Sequence, residues 1–92
     1  MNDDIEVEDY NTLPEYLKRV IDELSYVYEK YDALSNFLDT ERFNSLSTVQ
    51  RDLLLQQEAA MYLYLSILNL RIEVEQEIIK SSKESNNAKQ TN

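Results

Sequence analysis

The sequence predicts an all-α fold: a long antiparallel helical hairpin with a short helical connection, assembled into a helical homo-oligomer. Three observations lead there. The 92 residues include no glycine and one proline, Pro14, so the tight primed turns of a sheet protein are hard to build. Leu13, Leu17, Val20, Leu24, Val27, Tyr31, Leu34 and Leu38 follow one another at alternating steps of four and three. That spacing holds one apolar stripe on one side of a helix that repeats every ~3.6 residues. Finally, Thr12 with Glu15 and Ser47 with Gln50 form two capping-box patterns, each marking a helix start.

The elements follow in order. Residues 1–11 form an acidic N-terminal segment carrying Asp3, Asp4, Glu6, Glu8 and Asp9, read as a solvated tail. Thr12 can cap the first helix, Glu15 can reach back, and Pro14 is tolerated in a first turn. This helix runs to about Leu38, roughly 26 residues or about 39 Å. Tyr16, Ile21, Tyr28 and Phe37 widen its stripe. Residues 39–46 break the heptad and predict a short helical turn with Phe43 and Leu46 tucked inward. The second helix starts near Thr48 and runs to about Lys80. The hairpin domain is therefore residues 12–81, and residues 82–92 read as a polar tail too hydrophilic to pack.

The second helix carries more apolar surface than a hairpin partner can cover. One row reads Leu53, Ala60, Tyr64, Ile67, Val74 and Ile78; its neighbour reads Leu54, Met61, Leu65, Leu68, Ile72 and Ile79. Leu55, Tyr62, Leu63 and Leu70 add a third. At about 25 cal/mol per Å² of apolar surface, a wet row forgoes several kcal/mol. A domain of this size has only about 5–10 kcal/mol of net stability. The hairpin is expected to oligomerise.

Composition narrows the function classes. The net charge is −9, from 18 acidic and 9 basic residues, which argues against binding a DNA or RNA polymer or an anionic membrane. A small anionic ligand is still open to a local positive site. There is no cysteine, hence no disulfide or thiolate metal site. The acidic start is unlike a signal peptide, and no run of about 18 apolar residues spans a bilayer; an intracellular protein is expected. Histidine is absent too, removing the commonest general base and metal ligand. Pairs such as Asp22/Glu23 and Glu73/Glu77 read as solvated helix faces, and the acidic tail lacks the spacing of a calcium loop. No catalytic residue, cofactor or metal site is expected, and the chain reads as a non-enzyme.

Seven tyrosines are the odd feature. Most fit amphipathic packing, with the ring buried and the hydroxyl at water. A tyrosine can also stack on a nucleobase, and Tyr10 is the best candidate because the seam does not need it. Lys18-Arg19 is the only adjacent basic pair, and there an aromatic and two cations can converge. Arg71 interrupts the first apolar row of the second helix, where an arginine snorkels to water or meets an anion across an interface.

Several strings also resemble a known family. Leu13-Pro14 precedes Arg19-Val20-Ile21-Asp22-Glu23; then come Phe37 to Leu46, Gln50, Leu53-Leu54, Gln57, Met61, Tyr64, Ile67-Leu68 and Arg71-Ile72. Over about residues 13–72 these resemble short helical-hairpin proteins of tailed phages, first noted in crAss-like phages. That group is similar to the hairpin of the phage anti-CBASS and anti-Thoeris sponges. The resemblance implies a homo-oligomer, with a hexamer as one candidate, whose pockets form between protomers. It implies capture of cyclic di- or trinucleotides without cleavage, in the cytoplasm of an infected bacterium. The sponge pattern places Tyr-x-x-Leu before the long helix and a lysine fifteen residues after the tyrosine. Tyr10-Asn11-Thr12-Leu13 matches the first part, whereas Ser25 stands at the lysine position. Lys18, two turns earlier on the same face, or Arg19 beside it is then expected to replace the charge. The ligand-binding set implied is Tyr10, Asn11, Lys18, Arg19, Ser25 and Arg71.

Two other classes compete with a sponge. The charge of −9 also fits an acidic helical interaction protein, either an adaptor or a DNA mimic inhibiting a host enzyme. A structural bundle in the virion is the third.

Overall fold

The computed structural model describes the backbone of residues 10–90 and the side chains of residues 10–83. The acidic segment 1–9 lies outside the described residues. A single 3-10 turn, Tyr10–Thr12, leads into α1 (Glu15–Leu38), α2 (Glu41–Asn44) and α3 (Thr48–Gln90). The molecule is all-helical among the described residues and measures 69 × 22 × 20 Å.

α1 starts later than its capping pattern predicts. Its N-cap is Pro14, at φ −60° and ψ 150°, with no side-chain cap bond. A proline disfavours the α conformation in the residue before it, so Leu13 cannot join the helix. The chain instead closes a 3-10 turn in which the Leu13 N–H donates to the Tyr10 carbonyl at 3.1 Å. The Pro14 carbonyl then accepts from the N–H groups of Leu17 and Lys18, each at 3.0 Å.

The corner between the long helices is held by hydroxyl groups. Thr40 Oγ1 accepts from the Phe43 N–H at 3.2 Å and donates to the Phe37 carbonyl at 2.6 Å. It thereby caps α2 and ties off the end of α1. Phe37 and Phe43 meet edge to face with centroids 6.2 Å apart, a geometry aromatic quadrupoles favour. Phe43 is buried and Leu46 half-buried, as the sequence predicts. Ser47 and Gln50 form the second capping box in both directions: the Ser47 N–H reaches Gln50 Oε1 at 3.0 Å, and the Gln50 N–H reaches Ser47 Oγ at 3.2 Å. Ser47→Ala is expected to cost about 1 kcal/mol, measured as a lower urea midpoint; an unchanged midpoint would show that the cap does not matter.

α1 and α3 pack antiparallel. Three cross-links step in opposite directions along the helices: Ser35 Oγ donates to Glu58 Oε2 at 2.6 Å, Tyr31 meets Tyr62, and the Tyr16 hydroxyl donates to Glu75 Oε1 at 2.9 Å. None of the eight residues of the α1 seam is exposed. They face the row Leu54, Met61, Leu65, Leu68, Ile72 and Ile79, likewise unexposed. Leu17 and Leu68 are both 0% accessible.

The other rows of α3 do stay outside. Leu53, Leu55, Tyr62, Leu63, Tyr64, Ile67, Leu70, Val74 and Ile78 are all exposed. The excess of apolar surface expected from the sequence is thus present in the folded chain. α3 also continues ten residues past the expected end at Lys80, to Gln90. The polar tail is helical in its backbone through residue 90. Residues 81–90 hold no glycine or proline, and a helix already started propagates without a new nucleus.

Candidate functional site

The hairpin register builds a cleft midway along the rod. α1 supplies Leu24, Ser25, Tyr28 and Tyr31, and α3 supplies Tyr62, Leu65, Ser66 and Asn69. Each set follows helical one-face spacing, so both present a row toward the same groove. The cleft holds about 540 Å³, within the usual range of small-ligand sites. Leu65, buried, forms the apolar floor. Tyr31 and Tyr62 form a wall, with ring centroids 6.2 Å apart at 44°. The Ser66 hydroxyl donates to the Tyr62 carbonyl at 3.0 Å, which leaves its oxygen lone pairs to accept.

The lining holds no Asp, Glu, Lys or Arg. Three phenol rings offer π-faces for stacking, and two hydroxyls and an amide offer donors and acceptors for a polar edge. This arrangement can hold a flat heteroaromatic ring by its face and its rim. No acidic, basic, histidine or cysteine side chain is among the lining residues.

The open end of the hairpin carries a different cluster. The Tyr10 hydroxyl donates to Asp22 Oδ1 at 2.8 Å, and Lys18 Nζ lies 5.7 Å from the Tyr10 ring centroid. Lys18 also pairs with Glu15 at 3.3 Å. The hydrogen bond to Asp22 is the main cause raising the Tyr10 pKa above 10.0; desolvation and the charges of Asp22 and Glu15 add to it. The same cause, a bond to Glu75, raises that of Tyr16. Two carboxylates therefore offset the one cation at Tyr10, and the lysine covers part of the ring that would stack.

The residues of the expected binding set fall in three places. Tyr10, Asn11 and Lys18 sit at the open end, with Arg19 exposed next to them. Ser25 lies two turns further along α1, about 10 Å on, in the tyrosine cleft. Arg71 lies on the outward face of α3, beside Ile67, Leu70 and Val74. The structure brings Tyr10 and Lys18 together but not Ser25 or Arg71 with them.

Sequence reasoning passed over Tyr28, Tyr31, Tyr62, Ser66 and Asn69 as site residues, because each also fits a packing row or its interruption. A signal was there. Tyr62, Ser66 and Asn69 stand at steps of four and three inside the apolar stretch Met61 to Leu70, a polar row where packing alone wants none.

Among the described residues, no group of three or more His, Cys, Asp or Glu could hold a metal ion. No described helix is long and apolar enough to cross a membrane.

The fold and cleft define a small helical hairpin with an aromatic groove between its long helices. The Sequestin family model matches residues 14–74, well over half of the chain, and this chain belongs to that family. The match bears out the relation to the sponge-type hairpins drawn from residues 13–72. It spans every residue of the tyrosine cleft, along with Lys18, Arg19 and Arg71, and leaves out Tyr10 and Asn11. No curated protein and no solved structure matches the chain.

Proposed function

We propose that this protein sequesters a small nucleotide signal, a cyclic di- or trinucleotide, and holds it without cleaving it. One observation carries the reading: the region matched by the Sequestin family contains a cleft lined by three tyrosines and by neutral hydrogen-bonding groups. Stacking on a tyrosine face is worth about 1–3 kcal/mol per base and accepts any base. Ser25, Ser66 and Asn69 then meet the base edge. Retention needs affinity and slow release, and the cleft lining holds no acidic, basic or imidazole group to activate its hydroxyls; the protein is proposed to be a binder, not an enzyme. The family name itself speaks of sequestration.

The exposed rows of α3 support a homo-oligomer, with phosphate contacts made where copies meet. In an infected bacterium such a binder, working in the host cytoplasm, would withdraw the signal from a CBASS-type defence. The test is retention and release. The purified protein is mixed with cyclic di-AMP or a cyclic trinucleotide, passed through a size filter, and the retained fraction heated. Recovery of the unchanged nucleotide is expected. Nucleotide that passes the filter would exclude sequestration, and a linearised product would mean an enzyme.

A further inference from the structure

α3 carries a second seam that no part of the described chain covers. Val49, Leu53, Leu63, Ile67, Leu70 and Val74 are 45–67% exposed. With Gln56 and Ala60, also exposed, they follow one another from residue 49 to 74 by strictly alternating steps of four and three. That is the spacing of a coiled-coil seam, sustained for about 38 Å. It lies about 140° around α3 from the row buried against α1, at roughly 100° per residue. A seam of this length calls for a straight helix of the same pitch, and α3 of another copy is such a helix.

We infer that α3 pairs with α3 of a second copy, parallel and in register, and that Arg71 of the second copy completes the tyrosine cleft. The ligand part of this inference rests on the sequestration reading; the pairing does not.

Gln56 fixes the direction. It is the one polar residue between Val49 and Val74 in the seam. In the parallel register it faces Gln56 of the second copy, and two amides can satisfy each other across the seam. An antiparallel pair with full overlap sets Gln56 against Ile67 and brings Asp52 opposite Glu73. Shifting that pair by one heptad sets Gln56 against Val74. Both leave an amide facing only apolar groups, which is costly.

Charge agrees. In a parallel pair each residue just before an inner position meets the residue five further on in the other helix. The pairs are Asp52 with Gln57, Ala59 with Tyr64, Ser66 with Arg71, and Glu73 with Ile78. None of these flanking pairs joins like charges, which matters for a chain of net charge −9, and the seam ends at Val74 because the next inner position, Glu77, would face Glu77 of the second copy. Ser66 lines the cleft, so the pairing delivers a guanidinium to a cleft that has no cation of its own. The chain's own Arg71 stands on the opposite flank of the seam from Ser66 and cannot do this. A guanidinium there supplies the fork that a phosphate oxygen pair needs.

Because the chain has no cysteine, single cysteines report the register cleanly. Gln56→Cys is expected to cross-link to itself on mild oxidation, and Ser66→Cys mixed with Arg71→Cys to give the mixed dimer. A Gln56→Cys protein that stays single under oxidation, or a wild type that sediments as one chain at micromolar concentration, overturns the pairing. Ile67→Glu, at an exposed position, should keep the helicity of wild type by circular dichroism while sedimenting as a single chain. Arg71→Glu should keep the dimer and lower cyclic di-AMP retention at least tenfold. Full retention by a single-chain Ile67→Glu protein would refute the shared cleft and spare sequestration. Cross-linking without retention by wild type would do the reverse, removing the ligand and sparing the pairing.

Discussion

Replacing Leu68 by alanine lowers the stability of the hairpin by about 2–5 kcal/mol, an effect that only the equally buried Leu17 is expected to match. Leu68 is 0% accessible, on the face of α3 that meets the α1 seam. Truncation removes the transfer free energy of its methyl groups and leaves a cavity that two rigid helices cannot close by bending. A domain of this size has only about 5–10 kcal/mol in total. Urea unfolding should show a lower midpoint at an unchanged slope. Leu63→Ala is the control, since Leu63 is 61% exposed. At a protein concentration low enough to leave single chains it should shift the midpoint little. Equal shifts for the two variants would mean that the inner and outer faces of α3 have been exchanged.

Tyr62→Ala should weaken retention of a cyclic dinucleotide by roughly 5- to 150-fold, the fold-change that about 1–3 kcal/mol of lost stacking gives. Tyr62 is 62% exposed, so its removal leaves the core in place and the loss reads as binding. Tyr62→Phe keeps the ring and should retain most of the affinity. Tyr10→Ala separates the two clusters, because its ring is tied to Asp22 and Lys18 at the far end. If Tyr10→Ala costs more than Tyr62→Ala in equilibrium dialysis, the base stacks at the open end and not in the cleft.

The architecture was legible because spacing and punctuation agreed. The seam from Leu13 to Leu38 could bury itself only against a second helix, and the Ser47/Gln50 box set its start at Thr48. Pro14 suits a first turn by its own geometry, but its constraint on Leu13 moves the helix start to Glu15. The end of α3 was missed for a different reason. Polarity after Lys80 speaks to packing, whereas continuing a helix needs only the absence of a breaker. The site was less legible, because it arises between helices. Tyr31 and Tyr62 lie 31 positions apart in the sequence and become neighbours only once the antiparallel register is fixed. Until then each is one more aromatic on an apolar row. Ser25 was singled out through resemblance, and its place in the cleft gives it surroundings without moving Tyr10, Lys18 or Arg71 to it.

The three cross-links between α1 and α3 also imply an order of assembly. Ser35 and Glu58 are 23 residues apart, and Tyr16 and Glu75 are 59 apart, with the tyrosine pair between them. Joining the ends of a longer segment surrenders more chain freedom, so the two rods are expected to zip from the Thr40–Ser47 corner outward. The groove would then form partway through that closure, and the Tyr10 end would shut last.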